Sequence, residues 1–176
     1  SLAVEENGQY YNRLIWVQPS GEILTYDKRH LFSLSNEQEQ YTAGEQRLIV
    51  EYKGWKICPL ICYDLRFPVW SRNTEEYDLL LYVANWPERR NYAWQSLLIA
   101  RAIENQCYVA AVNRVGKDAH DITHSGDTMV VDAVGVVLQH AEYMQAVVYA
   151  TLDKSELLKM RSALPFLKDG DVFEIK

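Results

Sequence analysis

Cys62 stands where an apolar run, ICPLIC (57–62), meets a polar turn, YDLRFP (63–68). Such a junction suits a nucleophile: the strand fixes the backbone, the tight turn exposes Sγ, and the following amide hydrogens can face developing negative charge. If the turn opens a helix, its N-terminus also favours thiolate over thiol. A lone cysteine is more often a small buried hydrophobe, and Cys58 and Cys107, inside apolar strands, take that reading. For Cys62 the junction alone leaves both readings open. A thiolate also needs a base and an electrophilic helper. None of the four histidines, His30, His120, His124 and His140, has a local signature for a Cys–His dyad, and His140 reads as exposed at a strand end. His120, Asp121 and His124 have an HDxxH spacing that a metal hydrolase could use. Loop histidines are more often solvated or structural, and a closed zinc site wants four ligands with a second shell. Lys28, in YDKRHLF (26–32), follows a strand among apolar and aromatic neighbours that would partly enclose it; a snorkelling surface lysine is the ordinary alternative. Arg66 stands four positions after Cys62, so a helical turn would face both side chains into one pocket. Its planar fork suits a carboxylate or α-keto acid, and an ion pair with Asp64 or another acidic residue is the structural alternative.

These residues must be held by regular elements. Residues 12–18 and 22–27 read as strands around Pro19-Ser20-Gly21, a hairpin. Residues 33–46 form a polar, aperiodic loop that closes at Gly44. LIVEY (48–52) and WKICPLIC (55–62) make a second hairpin, in which Pro59 requires an edge or irregular position because it cannot donate to the ladder. Residues 66–73 read as a short helix with Pro68 in its first turn. YDLLLYVAN (77–85), the helical pattern at 90–106 and CYVAAVN (107–113) together spell a parallel βαβ unit. Within the helix, Trp94, Leu97, Leu98, Arg101 and Ala102 share one face. Residues 118–125 read as a loop, 128–132 and 136–140 as a hairpin around Gly135, and 146–153 as a further strand. Asp153 with Glu156 resembles a capping box before a helix that ends at Pro165. The sum is one α/β domain with a mixed sheet and outer helices.

A chain of 176 residues is long enough for a single core. A net charge of -6 leaves no basic footprint for nucleic acid or an anionic membrane, so a small molecule or a protein is the expected partner. No apolar run reaches the roughly 18 residues that a membrane span needs. Three cysteines are an odd number and too few for a disulfide framework, which fits a reducing, cytoplasmic setting.

YDKRHLF followed by ICYDLRFP resembles the nitrilase superfamily of carbon–nitrogen hydrolases. YVANWP (82–87), ARAIENQCYVAAVNRVG (100–116) and HSGDTMVVDAVGVVL (124–138) continue that resemblance in the same order over nearly the whole chain. The resemblance implies an αββα sandwich, of which residues 1–176 form the C-terminal two-thirds. It implies an amidase that works through a thioester and uses no metal or organic cofactor. Cys62 corresponds to the nucleophile and Lys28 to the oxyanion-stabilising lysine, with the Tyr63 backbone N–H as a second donor. Glu37 matches best a second glutamate, with Glu39 the weaker candidate. CYDLRFP and VANWP look closest to the ω-amidase branch, which hydrolyses α-keto acid amides such as α-ketoglutaramate, and Arg66 would then select the substrate carboxylate. The family's general-base glutamate lies on a segment before the lysine that SLAVEENGQYYNRL does not resemble; Glu5 and Glu6 read as hairpin residues. The chain alone is therefore expected to be inactive or nearly so, and its expected partner is another copy of itself or the missing N-terminal segment. Two other classes stay open: a non-catalytic fragment or interaction module, and a metal-dependent hydrolase using His120 and His124.

Overall fold

The computed structural model describes residues 1–175. Three antiparallel strands, β1 (Leu2–Glu6), β2 (Gln9–Val17) and β3 (Ile23–Asp27), form one small sheet in sequential order. Glu5 and Glu6 lie in its first hairpin, as expected: Glu5 Oε1 accepts the Gly8 amide, and Glu6 pairs with Arg13. Lys28 is the first residue beyond β3, and its amide is fastened to the Asn12 carbonyl.

The larger sheet has seven strands. Beyond β4 (Val50–Tyr52) and β5 (Trp55–Ile61) come β6 (Leu79–Ala84), β7 (Tyr108–Asn113), β8 (Val115–Lys117), β9 (Thr123–Val131) and β10 (Val137–Glu142). Their order is β10-β9-β7-β6-β5-β4, with β8 paired to β9. β5, β6 and β7 run parallel, and the remaining pairs are antiparallel. β4 covers only Trp55–Ile57 of β5, so Pro59 falls past its reach on a locally open side, where the missing donor costs least.

Helix α1 (Asn91–Asn105) carries the chain from β6 back to β7 and completes the parallel βαβ unit. Trp94, Leu98 and Ala102 recur at helical spacing and are fully buried against the sheet. Arg101, on the same face, is also buried; its Nη2 donates to the Leu65 carbonyl at 2.7 Å, tying α1 to the turn after β5. Gln106, in the left-handed region at φ 44°, ends the helix. Helix α2 (Lys154–Ala163) starts at Asp153, whose Oδ1 accepts the amides of Ser155 and Glu156.

Three expected elements differ. Residues 66–73 form no helix; the regular turn comes earlier, as a 3-10 turn over Cys62–Arg66. The loop at 118–125 is shorter than expected, because Thr123, His124 and Ser125 already belong to β9. Residues 146–153 form no strand, since no backbone ladder among the described residues includes them, and Val147 and Tyr149 are exposed. β-Branched and aromatic residues mark a strand-forming sequence, whereas a strand also needs a partner.

Gly44 closes the 33–46 loop against β3. A Cβ there would sit 2.1 Å from the Asp27 carbonyl oxygen, so only glycine lets the two backbones approach. The close approach also lets the Gly44 amide reach the Lys28 carbonyl, which fixes the loop carrying Glu37.

Candidate active site

Cys62 sits at the C-terminal end of β5, at the first residue of the 3-10 turn, with φ at 46°. A residue with a Cβ pays about 1–2 kcal/mol for the left-handed region. Such strain is kept only where the surroundings over-determine it, and sharp turns of this kind push a side chain out of a strand end.

Asp64, two residues on, supplies that over-determination. Its carboxylate is fully buried. Oδ2 accepts the Tyr26 hydroxyl at 2.8 Å and the Ile61 amide at 3.0 Å. Oδ1 accepts the His30 amide at 3.0 Å and lies 2.9 Å from His30 Nδ1. Trp70 Nε1 donates to the same Tyr26 hydroxyl, and the His30 ring stacks on Phe67 at 3.6 Å. One buried carboxylate thus fastens the Cys62 turn to residues 26–30, the segment that carries Lys28.

Lys28 is 4% exposed, not a snorkelling surface lysine. Its Nζ contacts Glu37 Oε2 at 2.5 Å. Glu37 also accepts the Phe32 amide at 2.6 Å and the Asn12 side-chain amide at 3.2 Å. Partial burial pushes the Glu37 carboxyl up, but the hydrogen bonds from Lys28, Phe32 and Asn12 outweigh it and hold the carboxyl below its ordinary range. Of the two candidate glutamates, Glu37 lines the cavity and pairs with Lys28, whereas Glu39 is exposed.

The sign of this shift sets a pH window. A carboxyl whose pKa is depressed on folding stabilises the fold fully above its unfolded value and ceases to do so as pH falls through the folded value. Glu37 therefore contributes above its ordinary value of 4.5 and progressively less below it. The urea midpoint should fall as pH drops below that value, and Glu37→Gln should remove part of the dependence; an identical pH dependence in the two proteins would contradict the pairing.

Burial pushes the Cys62 thiol up. Lys28 and the Asn85 amide pull it down, but less strongly, and the nearby Glu37 and Asp64 carboxylates add to the rise. The expected thiolate-favouring helix N-terminus is absent, because the turn is 3-10 and short. A thiol raised in this way needs a base to take its proton before it attacks. Cys58 and Cys107 are fully buried, and burial raises Cys58 to about 12 and Cys107 further.

Lys28, Glu37, Cys62, Tyr63 and Arg66 line one cavity of about 460 Å³, within the range of small-molecule sites. Its other wall is the loop after β6, with Asn85, Trp86, Pro87 and Arg90. Arg66 reaches the cavity without the α-helical face on which its placement beside Cys62 was based, and it pairs with neither Asp64 nor any other carboxylate among the described residues. Among the described residues, Glu37 is the only carboxylate in the lining, and no imidazole joins it.

The histidines serve elsewhere, His30 against Asp64. His120 is exposed, while His124 is buried with Nδ1 2.9 Å from the Ile122 carbonyl oxygen, so the HDxxH spacing assembles no ligand set. His140 is not merely exposed, for its Nε2 lies 2.9 Å from Asp127 Oδ1. Among the described residues, the one group of three side chains close enough to share an ion is Asp127, His140 and Glu142.

Asn12, Asp64, Asn85, Trp86 and Arg90 were not anticipated as site residues. Asn85-Trp86-Pro87 had one available signal, since it ends a buried parallel strand, and sites in α/β sheets gather at the carboxyl ends of strands. Asn12 and Asp64 had none, because their partners lie 25 to 38 positions away.

The sequence pattern of carbon–nitrogen hydrolases matches residues 1–162, and this chain belongs to that family, the nitrilase superfamily. It is 48% identical over 176 residues to an omega-amidase, YafV, of Escherichia coli strain K12, covering 99% of this chain and 69% of that protein. A 2-oxoglutaramate amidase of Bacillus subtilis is 39% identical over 172 residues, 96% of this chain and 66% of the relative. In three dimensions the chain superposes on the crystal structure of XC1258 from Xanthomonas campestris, a CN-hydrolase superfamily protein with an arsenic adduct in its active site. That match has a TM-score of 0.97 at 45% identity and covers 99% of this chain and 69% of XC1258. The chain thus spans about two thirds of the length of these relatives.

Proposed function

We propose that these residues form the thiol-bearing part of an ω-amidase, which hydrolyses the terminal amide of an α-keto acid amide such as 2-oxoglutaramate to the carboxylate and ammonia. The observation that carries this reading is the convergence of Cys62, Lys28, Glu37 and Arg66 on one cavity. The 2-oxoglutaramate amidase and omega-amidase relatives support the choice of substrate class. In this reading the Cys62 thiol loses its proton to a base, and Sγ attacks the amide carbon. The carbonyl oxygen becomes an oxyanion held by Lys28 Nζ and the Tyr63 N–H. Collapse expels ammonia, which leaves with the transferred proton, and forms a thioester. Water then cleaves the thioester to carboxylate and thiol. Glu37 holds Lys28 in place, while Arg66 binds the substrate's own carboxylate.

Glu37 is already engaged by Lys28, Phe32 and Asn12 and sits below its ordinary pKa range, which makes it a poor proton acceptor. No other base lines the cavity among the described residues. The 176 residues by themselves are accordingly expected to turn over slowly or not at all. In this proposal they form a single domain that becomes a full αββα sandwich at the length of the relatives.

Ammonia release from 2-oxoglutaramate, measured for the 176-residue chain and for a chain extended to its relatives' length, tests the reading. Activity in the extended chain supports it, and full activity in the shorter one refutes the need for a further base. In the extended chain Arg66→Lys should raise KM strongly for 2-oxoglutaramate while sparing an uncharged amide, because an ammonium cannot make the two parallel bonds of a guanidinium. Equal losses on both amides would mark Arg66 as structural.

A further inference from the structure

Two guanidinium groups line the cavity with no carboxylate bound to either. Arg29, Arg72 and Arg114 donate to backbone carbonyls, whereas Arg13, Arg47, Arg101 and Arg161 close onto acidic side chains. Arg66 and Arg90 do not, among the described residues. Each instead lies against an aromatic ring. Arg66 Cζ is 4.7 Å from the Trp86 ring centroid, and Arg90 Cζ is 5.3 Å from that of Phe32. Stacking on a ring leaves the donor edge of a guanidinium free for a planar acceptor.

The two are held by a prebuilt scaffold. Trp86 Nε1 donates to the Arg90 carbonyl at 2.8 Å, so the ring beneath Arg66 also fixes the backbone of Arg90. The Asn113 side chain clamps Trp86 from both sides, accepting its amide at 2.7 Å and donating to its carbonyl at 3.0 Å. Trp94 packs on the Trp86 ring at 5.4 Å. On the opposite wall, Phe32 is set edge-on to Tyr63 at 4.9 Å, and its amide is bonded to Glu37. Burial, followed by repulsion from Arg89 and Arg66, holds the Arg90 guanidinium below its ordinary range. An anion received between Arg66 and Arg90 would relieve that repulsion. In a chain of net charge -6, two cations left unpaired in one cavity mark a place for an incoming anion.

We propose that Arg66 and Arg90 form a two-guanidinium subsite for the 2-oxo carboxylate end of the ligand, with Arg90 the second specificity-determining residue. The carboxylate and its neighbouring keto oxygen are shared between the two forks, and the rest of the molecule extends toward Cys62. The direction of that extension rests on the amidase reading, whereas the anion subsite does not. A ligand with a neutral remote end gains nothing from either arginine. A dianion at both ends, the hydrolysis product, still satisfies them.

The product therefore serves as a probe that needs no turnover. Calorimetric titration of 2-oxoglutarate into the protein should show binding. Arg66→Gln and Arg90→Gln should each weaken it by at least about tenfold, the loss expected for a charge-assisted hydrogen bond. Arg90→Lys, which keeps the charge and the stem, should recover only part of the loss and guards against a folding defect in the glutamine variant. Absence of 2-oxoglutarate binding, unchanged binding in Arg90→Gln, or inorganic phosphate binding as tightly as 2-oxoglutarate would each overturn the subsite. Alkylation of Cys62 by iodoacetamide in the same proteins reads the nucleophile separately. An inert Cys62 beside arginine-dependent 2-oxoglutarate binding would sink the amidase reading and leave the subsite standing.

Discussion

Lys28→Met is expected to lower stability by about 1.5–3 kcal/mol and, in a chain of its relatives' length, to slow amide hydrolysis by about 10²–10³-fold. The two effects have different origins. The first arises in the folded protein without substrate: Glu37, mostly enclosed, loses its 2.5 Å contact with an ammonium and keeps only the Phe32 and Asn12 amides. The second arises in the transition state, where the proposed oxyanion loses a donor worth about 2.7–4 kcal/mol. A third consequence follows from the thiol. Lys28 is the strongest influence pulling the Cys62 pKa down, and Glu37 pushes it up. Removing the lysine leaves the glutamate uncompensated, so the pH at which Cys62 becomes reactive should move upward. Urea unfolding, steady-state rates and the pH profile of Cys62 alkylation read the three effects separately. A variant with native stability and an unmoved alkylation profile would show that Lys28 does not act on this thiol.

Asp64→Ala should cost at least about 3 kcal/mol. The buried carboxylate accepts the Tyr26 hydroxyl and the amides of Ile61 and His30, and its loss leaves these donors enclosed without an acceptor. Each such orphan costs about 1–3 kcal/mol, a large share of the 5–15 kcal/mol that separates folded from unfolded domains. The damage should reach the site as well, because Asp64 is the shared anchor of the Cys62 turn and the Lys28 segment. With the turn released, Cys62 has less reason to keep its left-handed backbone at φ 46°. Asp64→Asn, which retains one carbonyl acceptor, should lose distinctly less. A denaturation midpoint within about 1 kcal/mol of the parent for Asp64→Ala would contradict the anchoring role.

Much of this arrangement was legible in the sequence because it depends on local pattern. The continuous apolar run at 77–85 and the amphipathic 90–106 segment became β6 and α1, since burial of a strand or of a helix face is written in spacing alone. The junction at Cys62 was legible for the same reason. The failures share a different cause. Residues 146–153 carry the β-branched and aromatic residues of a strand, yet pairing depends on a neighbour that the segment cannot encode. The 66–73 helix was inferred from a proline signal, but Asp64 bonded back to Ile61 and across to Tyr26 and His30, which favoured a tight turn four residues earlier. Arg90 was read only as the start of a helix. Its role emerges where the loop after β6 meets Phe32, a residue 58 positions earlier in the chain, and no periodicity records such a meeting.

The most direct test of the proposed nucleophile is competitive alkylation. The folded protein is exposed near neutral pH to a limiting amount of iodoacetamide, and the modified peptides are mapped by mass spectrometry at successive times. Cys62 lines the cavity beside Lys28, whereas Cys58 and Cys107 are fully buried, with thiols raised to about 12 and beyond. The expected result is modification of Cys62 first, with Cys58 and Cys107 labelled only after unfolding. Labelling of Cys58 or Cys107 before Cys62, or of all three together in folded protein, would contradict the assignment of Cys62 as the reactive thiol.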